Sequence, residues 1–296
     1  MISTQSYLST IQDPHTVITA IDSGVTFPEF MLQRYSAYQE EIKLFQQLII
    51  ESDSSAALLE SIRTPKRFQA ALRMSLLKLF RRCVSTVCDT EATKKIRTPT
   101  LTFVENYGHT FKDINVLKRQ FANLTDTEFT ALATLLGEYD NRGEQGYILT
   151  GIFFDWVEQH YNGEFTIEGP RGAGPDIQLS ALFPNYDGDY PCDFVIKETL
   201  SKKILAVGFA RYDSTRGGSQ SDDRTGGNSD KVNKAKEFCA QTGCAFKIIF
   251  LADGPGLVHK DTWQEACILE DKWDSNVRVT TLKLADQRLD REWLLS

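Results

Sequence analysis

The chain has 296 residues, 41% of them hydrophobic and 25% charged, with a formal net charge of -7. That length excludes a stapled mini-protein and allows one large domain or two ordinary ones, and the composition is neither that of a disordered tail nor that of a fibre. The negative balance argues against coating nucleic acid by bulk charge, while leaving room for a local basic face.

The opening stretch, MISTQSYLSTIQDPHT, lacks the basic and apolar segments of a secretion signal, and no run of about 18 apolar residues follows. A cytoplasmic chain without membrane spans is the expectation. Cys83, Cys88, Cys192, Cys239, Cys244 and Cys267 include two close pairs with four intervening residues, and His15, His109, His160 and His259 are scattered singly. Neither pattern has zinc-site spacing, so reduced cysteines are expected.

From Phe27 to Ile50 apolar residues recur at three- and four-residue steps, which predicts a helix with Pro28 in its first turn. Further helices are predicted over Ser54 to Ile62, Lys66 to Val87, Phe111 to Asn123 and Asp126 to Tyr139. Between Lys66 and Arg119 lie twelve Lys/Arg against four acids. Such segregation suits phosphate neutralisation, with Lys78, Arg81 and Arg82 as candidate contacts; a solvated helix face is the alternative.

The second half changes period. A helix is predicted over Gly146 to Tyr161, then strands at Phe165 to Glu168, Cys192 to Ile196 and Ile204 to Phe209, with the Gly/Pro-rich GPRGAGPD before the second. A helix over Asp230 to Thr242, a buried strand over Ala245 to Leu251, a helix over Thr262 to Glu270 and a strand over Val277 to Leu282 complete a mixed α/β pattern. If the second and third strands form a hairpin turning near Leu200-Ser201, partner indices sum to about 401 and Asp193 falls beside Gly208. Asp176 is a second acid able to reach the same edge.

From Glu144 to Leu295 the chain resembles the PD-(D/E)xK nuclease superfamily, and within it the type II restriction endonucleases. The resemblance rests on the order of elements together with GPD at Gly174 to Asp176, CDFVIK at Cys192 to Lys197, ARYDSTRGGSQSDDRTGG at Ala210 to Gly227 and KIIFLADGPG at Lys247 to Gly256. It implies an α/β (α+β) fold, a restriction-endonuclease-like mixed sheet flanked by helices. A helical, DNA-binding region over 1–140 would precede a nuclease core over 141–296. It also implies Mg2+, hydrolysis of double-stranded DNA at a specific site, and a homodimer, since symmetric cleavage of a duplex calls for a two-fold protein.

Carried over residue by residue, Asp193 matches the first acid, with Asp176 as competitor. The superfamily's second acid and lysine fall on Gly208 and Ala210, which are neither. A shifted acid at Asp222, Asp223 or Asp213 is one explanation, with Arg211, Lys197 or Arg224 as the cation and Asp193, Asp223 and Glu144 as the metal set. An inactivated variant and a relative that binds DNA without cutting are the others. The stretch Tyr212 to Asn228 is predicted to be a loop; Arg216, Gln220, Arg224 and Asn228 on it are the residue types that read base edges. Asp253-Gly254-Pro255-Gly256 reads as a structural turn.

Overall fold

The computed structural model describes residues 6–22, 24–140, 143–215 and 220–296, with the backbone alone for 139, 220–226 and 274. The chain divides into two compact units, Gly24–Arg142 and Gly143–Ser296 joined by Met1–Ser23. The expected single region over 1–140 is therefore corrected at its start. Residues 6–22 are tied to the second unit by hydrogen bonds such as Ser6 Oγ to Glu270 (2.6 Å), Thr281 Oγ1 to the Val17 carbonyl (2.6 Å) and the Ile21 amide to Tyr212 Oη (2.8 Å).

The first unit is helical: α1 (Glu29–Glu51), α2 (Ser55–Arg63), α3 (Ala70–Cys83), α4 (Thr90–Thr93), α5 (Thr100–Tyr107), α6 (Ile114–Ala122) and α7 (Asp126–Leu136). The long α1 buries Tyr38, Ile42, Phe45, Leu48 and Ile49, the stripe its period predicts. Side-chain caps fix several starts: Ser54 accepts from the Ala57 amide, Asp113 from Asn115 and Val116, and Thr125 forms a capping box with Glu128. The helix expected over Lys66 to Val87 begins later because Gln69 is extended, and α4 and α5 were not foreseen. Both are short, below the length at which periodicity is informative.

The second unit begins with α8 (Glu144–His160) and β1 (Phe165–Glu168), followed by β2 (Ile177–Gln178), α9 (Leu179–Leu182), β3 (Pro191–Cys192), β4 (Phe194–Glu198) and β5 (Ile204–Tyr212). It continues through α10 (Gln220–Thr242), β6 (Lys247–Asp253), α11 (Lys260–Glu270), β7 (Val277–Thr280), α12 (Ala285–Arg288) and α13 (Arg291–Leu295). This is a mixed α/β architecture around a five-stranded sheet of order β1-β4-β5-β6-β7. The β1, β4 and β5 pairings are antiparallel; β5, β6 and β7 run parallel, linked by α10 and α11.

Two cores cover the two sheet faces. Val207, Phe209 and Phe250 pack with Val232, Ala235 and Phe238 of α10 and Trp263 and Ala266 of α11. Ala206, Ile249 and Leu251 pack on the other face with Leu149, Phe153 and Phe154 of α8. Covered on both sides, β6 reads as a continuous apolar run. The hairpin forms with Phe194 opposite Gly208, while the Asp193 amide donates to the Gly208 carbonyl (2.9 Å). The expected strand over Cys192 to Ile196 is in fact two: Cys192 pairs with Ile177 in a separate ribbon, and the chain enters the main sheet at Phe194. No helix among the described residues is long and apolar enough to cross a membrane.

The segment expected as a loop up to Asn228 is helical from Gln220 onward. Gly226 and Gly227 each weaken a helix by about 1 kcal/mol relative to Ala, but Val232, Ala235, Phe238 and Cys239 bury one stripe of α10 against the sheet and hold the helix in place.

Candidate active site

Asp193 sits at the one-residue break between β3 and β4, where the chain passes from ribbon to sheet. Its Oδ2 accepts the Ala210 amide at 2.7 Å, so the position on which the sequence resemblance would place a lysine contributes its backbone to hold the acid. Burial pushes the Asp193 carboxyl above the usual carboxylate range; the Ala210 amide pulls it back, the Asp176 charge pushes it further up and Lys231 draws it down. Asp176 itself is exposed, just before β2.

Lys231 is the cation that inspection of the sequence missed. It lies on α10 with Nζ 3.7 Å from the centre of the Phe209 ring, and its carbonyl accepts the Tyr190 hydroxyl at 3.1 Å. Burial lowers its pKa, and Asp193, Cys192 and Asp176 raise it. A signal was present: Lys231, Ala235 and Phe238 follow the spacing of the buried stripe, so a lysine occupies an otherwise apolar position. Cys192 next to Asp193 is a buried thiol whose pKa is pushed up to about 12 by that burial.

Asp193 and Lys231 line one cavity of about 390 Å3 on the α10/α11 face, together with Arg211, Asp213, Asn228 and Glu265. Arg211 and Asp213 engage each other, with Nε to Oδ1 at 2.6 Å. Asp213 is buried and its backbone is bonded to the Asp253 carbonyl and the Gly256 amide, which makes it part of the wall. Lys197 pairs with Glu168 at 2.6 Å and is not in the cavity.

Other candidates are corrected or fall outside the described residues. Glu144 opens α8 as an exposed first-turn acid; α8 packs on the opposite sheet face, and Glu144 does not line the cavity. Arg216 lies outside the described residues, as do the side chains of Gln220, Asp222, Asp223 and Arg224, whose backbones belong to α10. In the helical unit, Lys78 faces Asp140 (3.2 Å), Arg82 faces Glu138 (2.9 Å) and Arg81 faces Asp89 (3.9 Å). Their charge is matched locally, by acids that lie mostly beyond the window counted in the sequence.

Gly208, the second-acid position, points toward the α8 face, where a β-carbon would fall within the ring of Phe194. A carboxylate there has no space. Asp253 is fully buried and takes three backbone amides, Thr19 (2.6 Å) and Gly254 (2.8 Å) on Oδ1 and Leu282 (2.9 Å) on Oδ2, in keeping with a structural turn.

Among the described residues no three His, Cys, Asp or Glu side chains converge to hold a metal ion. Asp193 and Asp176 do supply two hard oxygen donors whose charges already act on each other. These are the donor types Mg2+ takes, since it retains most of its water and commonly takes one or two carboxylates plus a substrate phosphate, although Asp176 is not among the residues lining the cavity. Comparison with protein-family models, with curated proteins and with solved structures gave no match.

Proposed function

We propose that the chain is a Mg2+-dependent nuclease of the PD-(D/E)xK kind, hydrolysing phosphodiester bonds of double-stranded DNA at a specific site as a homodimeric type II restriction endonuclease. The observation that carries this reading is the meeting of Asp193 and Lys231 in one cavity beside the Ala210 amide. The succession α8, β1, the β4-β5 hairpin, α10 and β6 supports it.

In this reading Asp193, together with Asp176, would hold the metal. When bound, Mg2+ supplies the positive charge that acidifies water and offsets the charge developing on the phosphate. The Ala210 amide orients Asp193, and Lys231, on a neighbouring helix and lining the same cavity, takes the place of the strand lysine. The phosphorus takes the oxygen of water and releases the sugar oxygen, which regains a proton.

Supercoiled plasmid incubated with Mg2+ or Mn2+ tests this. Discrete fragments from the parent and none from Asp193→Asn support the nuclease. A second reading, a nuclease-fold protein that binds DNA without cutting, is favoured by the Phe194 ring at Gly208; retarded but intact plasmid under every metal condition would establish it instead.

A further inference from the structure

The basic stretch of the helical unit divides into cations that are neutralised and cations that are not. Lys78, Arg81 and Arg82 face Asp140, Asp89 and Glu138, and Lys94 pairs with Glu91. Lys66, Arg67, Lys95 and Arg97 are exposed, and none of them forms an ion pair with an acid among the described residues.

These four cations stand on two turns held side by side. Arg63, the last residue of α2, is buried, and its guanidinium donates to the carbonyls of Thr93, Lys95 and Thr98 and to Thr100 Oγ1 at 2.6–3.0 Å. Its plane also lies over the Phe103 ring, 4.6 Å from the centroid. The segment 93–100 is thereby clasped to the end of α2. Immediately after Arg63, the turn 64–67 is closed by the Arg67 amide on the Thr64 carbonyl (3.3 Å), and Lys66 adopts a left-handed φ of 66°. The other turn is closed by the Thr98 amide on the Lys95 carbonyl (3.2 Å), the same oxygen that Arg63 engages.

A buried cation that spends its hydrogen bonds on loop carbonyls, while four neighbouring cations are left without acids, fixes positive charge at the surface of a chain whose net charge is -7. We infer that Lys66, Arg67, Lys95 and Arg97 form a docking surface for the phosphodiester backbone of duplex DNA, independent of base sequence. Phosphates repeated along a duplex match several fixed cations at once, and each contact releases counterions. A membrane would call for a broad apolar face beside the charge; the large apolar side chains exposed on and next to the clasped segment are two, Ile96 (37%) and Leu101 (63%). The inference rests on the DNA-directed reading for its choice of polyanion, but not on cleavage.

The test is binding of the full chain to a short fluorescein-labelled duplex of arbitrary sequence, followed by anisotropy in EDTA over a salt series. Replacing all four residues with Ala should lower the slope of log K against log salt by roughly 0.9 per contact and weaken binding on the order of a hundredfold at moderate salt. Lys78→Ala with Arg81→Ala and Arg82→Ala should leave the slope unchanged. A milder pair, Lys66→Gln with Arg97→Gln, covers the case in which the fourfold variant fails to fold, and should lower the slope by about half as much. An unaltered slope in a folded variant overturns the inference, as does binding to phosphatidylserine vesicles without binding to the duplex. A parent that binds the duplex with the expected salt dependence but cuts no DNA with Mg2+ or Mn2+ would count against the nuclease reading alone.

Discussion

The ring of Phe194 fills the space in front of Gly208, its direct partner across the β4-β5 ladder. Phe194 is itself held by Phe153 and Phe154 of α8, with ring centroids 5.2 and 6.1 Å away, so it has little freedom to withdraw. The strand position on which the sequence resemblance would place an acid is thus occupied by core.

Adding a β-carbon at this glycine should overpack the sheet. Gly208→Ala is expected to destabilise the chain by about 1–3 kcal/mol, and Gly208→Glu by more, since a carboxylate would be buried as well. Combining Gly208→Ala with Phe194→Leu should recover part of the loss. Urea midpoints of the four proteins in the double-mutant cycle measure the coupling; simple additivity would show that the ring is not the obstacle.

Asp193 offers a test that does not depend on cleavage. Its folded pKa is raised, chiefly by burial. The stabilisation it gives is complete only below the unfolded value near 3.9 and is lost as pH rises through the folded value. The stability of Asp193→Asn relative to the parent should therefore improve from about pH 3 toward neutrality. Chemical denaturation at several pH values reads the trend. Added Mg2+ should raise the melting temperature of the parent and leave that of the variant in place; about 2.7 kcal/mol is expected at a hundredfold excess over Kd.

Lys231 is separated from a purely structural role by two substitutions. Lys231→Met keeps the aliphatic contact with Phe209 and removes the charge, so cleavage should fall by about 10²–10⁴-fold while the fold remains. Because burial lowers its pKa, the parent should lose its Lys231-dependent activity at a lower pH than an ordinary lysine would allow. Rates across alkaline pH check this, and Lys231→Arg should carry the loss to higher pH.

Asp253 joins the N-terminal arm to the sheet. With Asp253→Ala the amides of Thr19, Gly254 and Leu282 lose their acceptor, and a loss of about 2–4 kcal/mol is expected. Hydrogen exchange should quicken first at Thr19 and Leu282. Asp253→Asn retains one acceptor oxygen and should lose less.

The long helix α1, the second half of α10 from Asp230, the β4-β5 hairpin and the buried strand β6 are legible from the residues in order, because burial of one face imposes a 3.6- or 2-residue period and burial of both faces a continuous apolar run; the first half of α10, read as a loop, is not. The hairpin sum put Asp193 beside Gly208, and the structure bonds the Asp193 amide to the Gly208 carbonyl. Other relationships required three dimensions. Glu138 and Asp140 neutralise Arg82 and Lys78 across about sixty positions, and Asp253 gathers amides from Thr19 and Leu282. Lys231 and Asp193 line one cavity from different elements, and Phe194 closes Gly208, its ladder partner fourteen residues away. Period reports which face of an element is buried, whereas a site depends on which elements meet, and charge and shape act through space rather than along the chain.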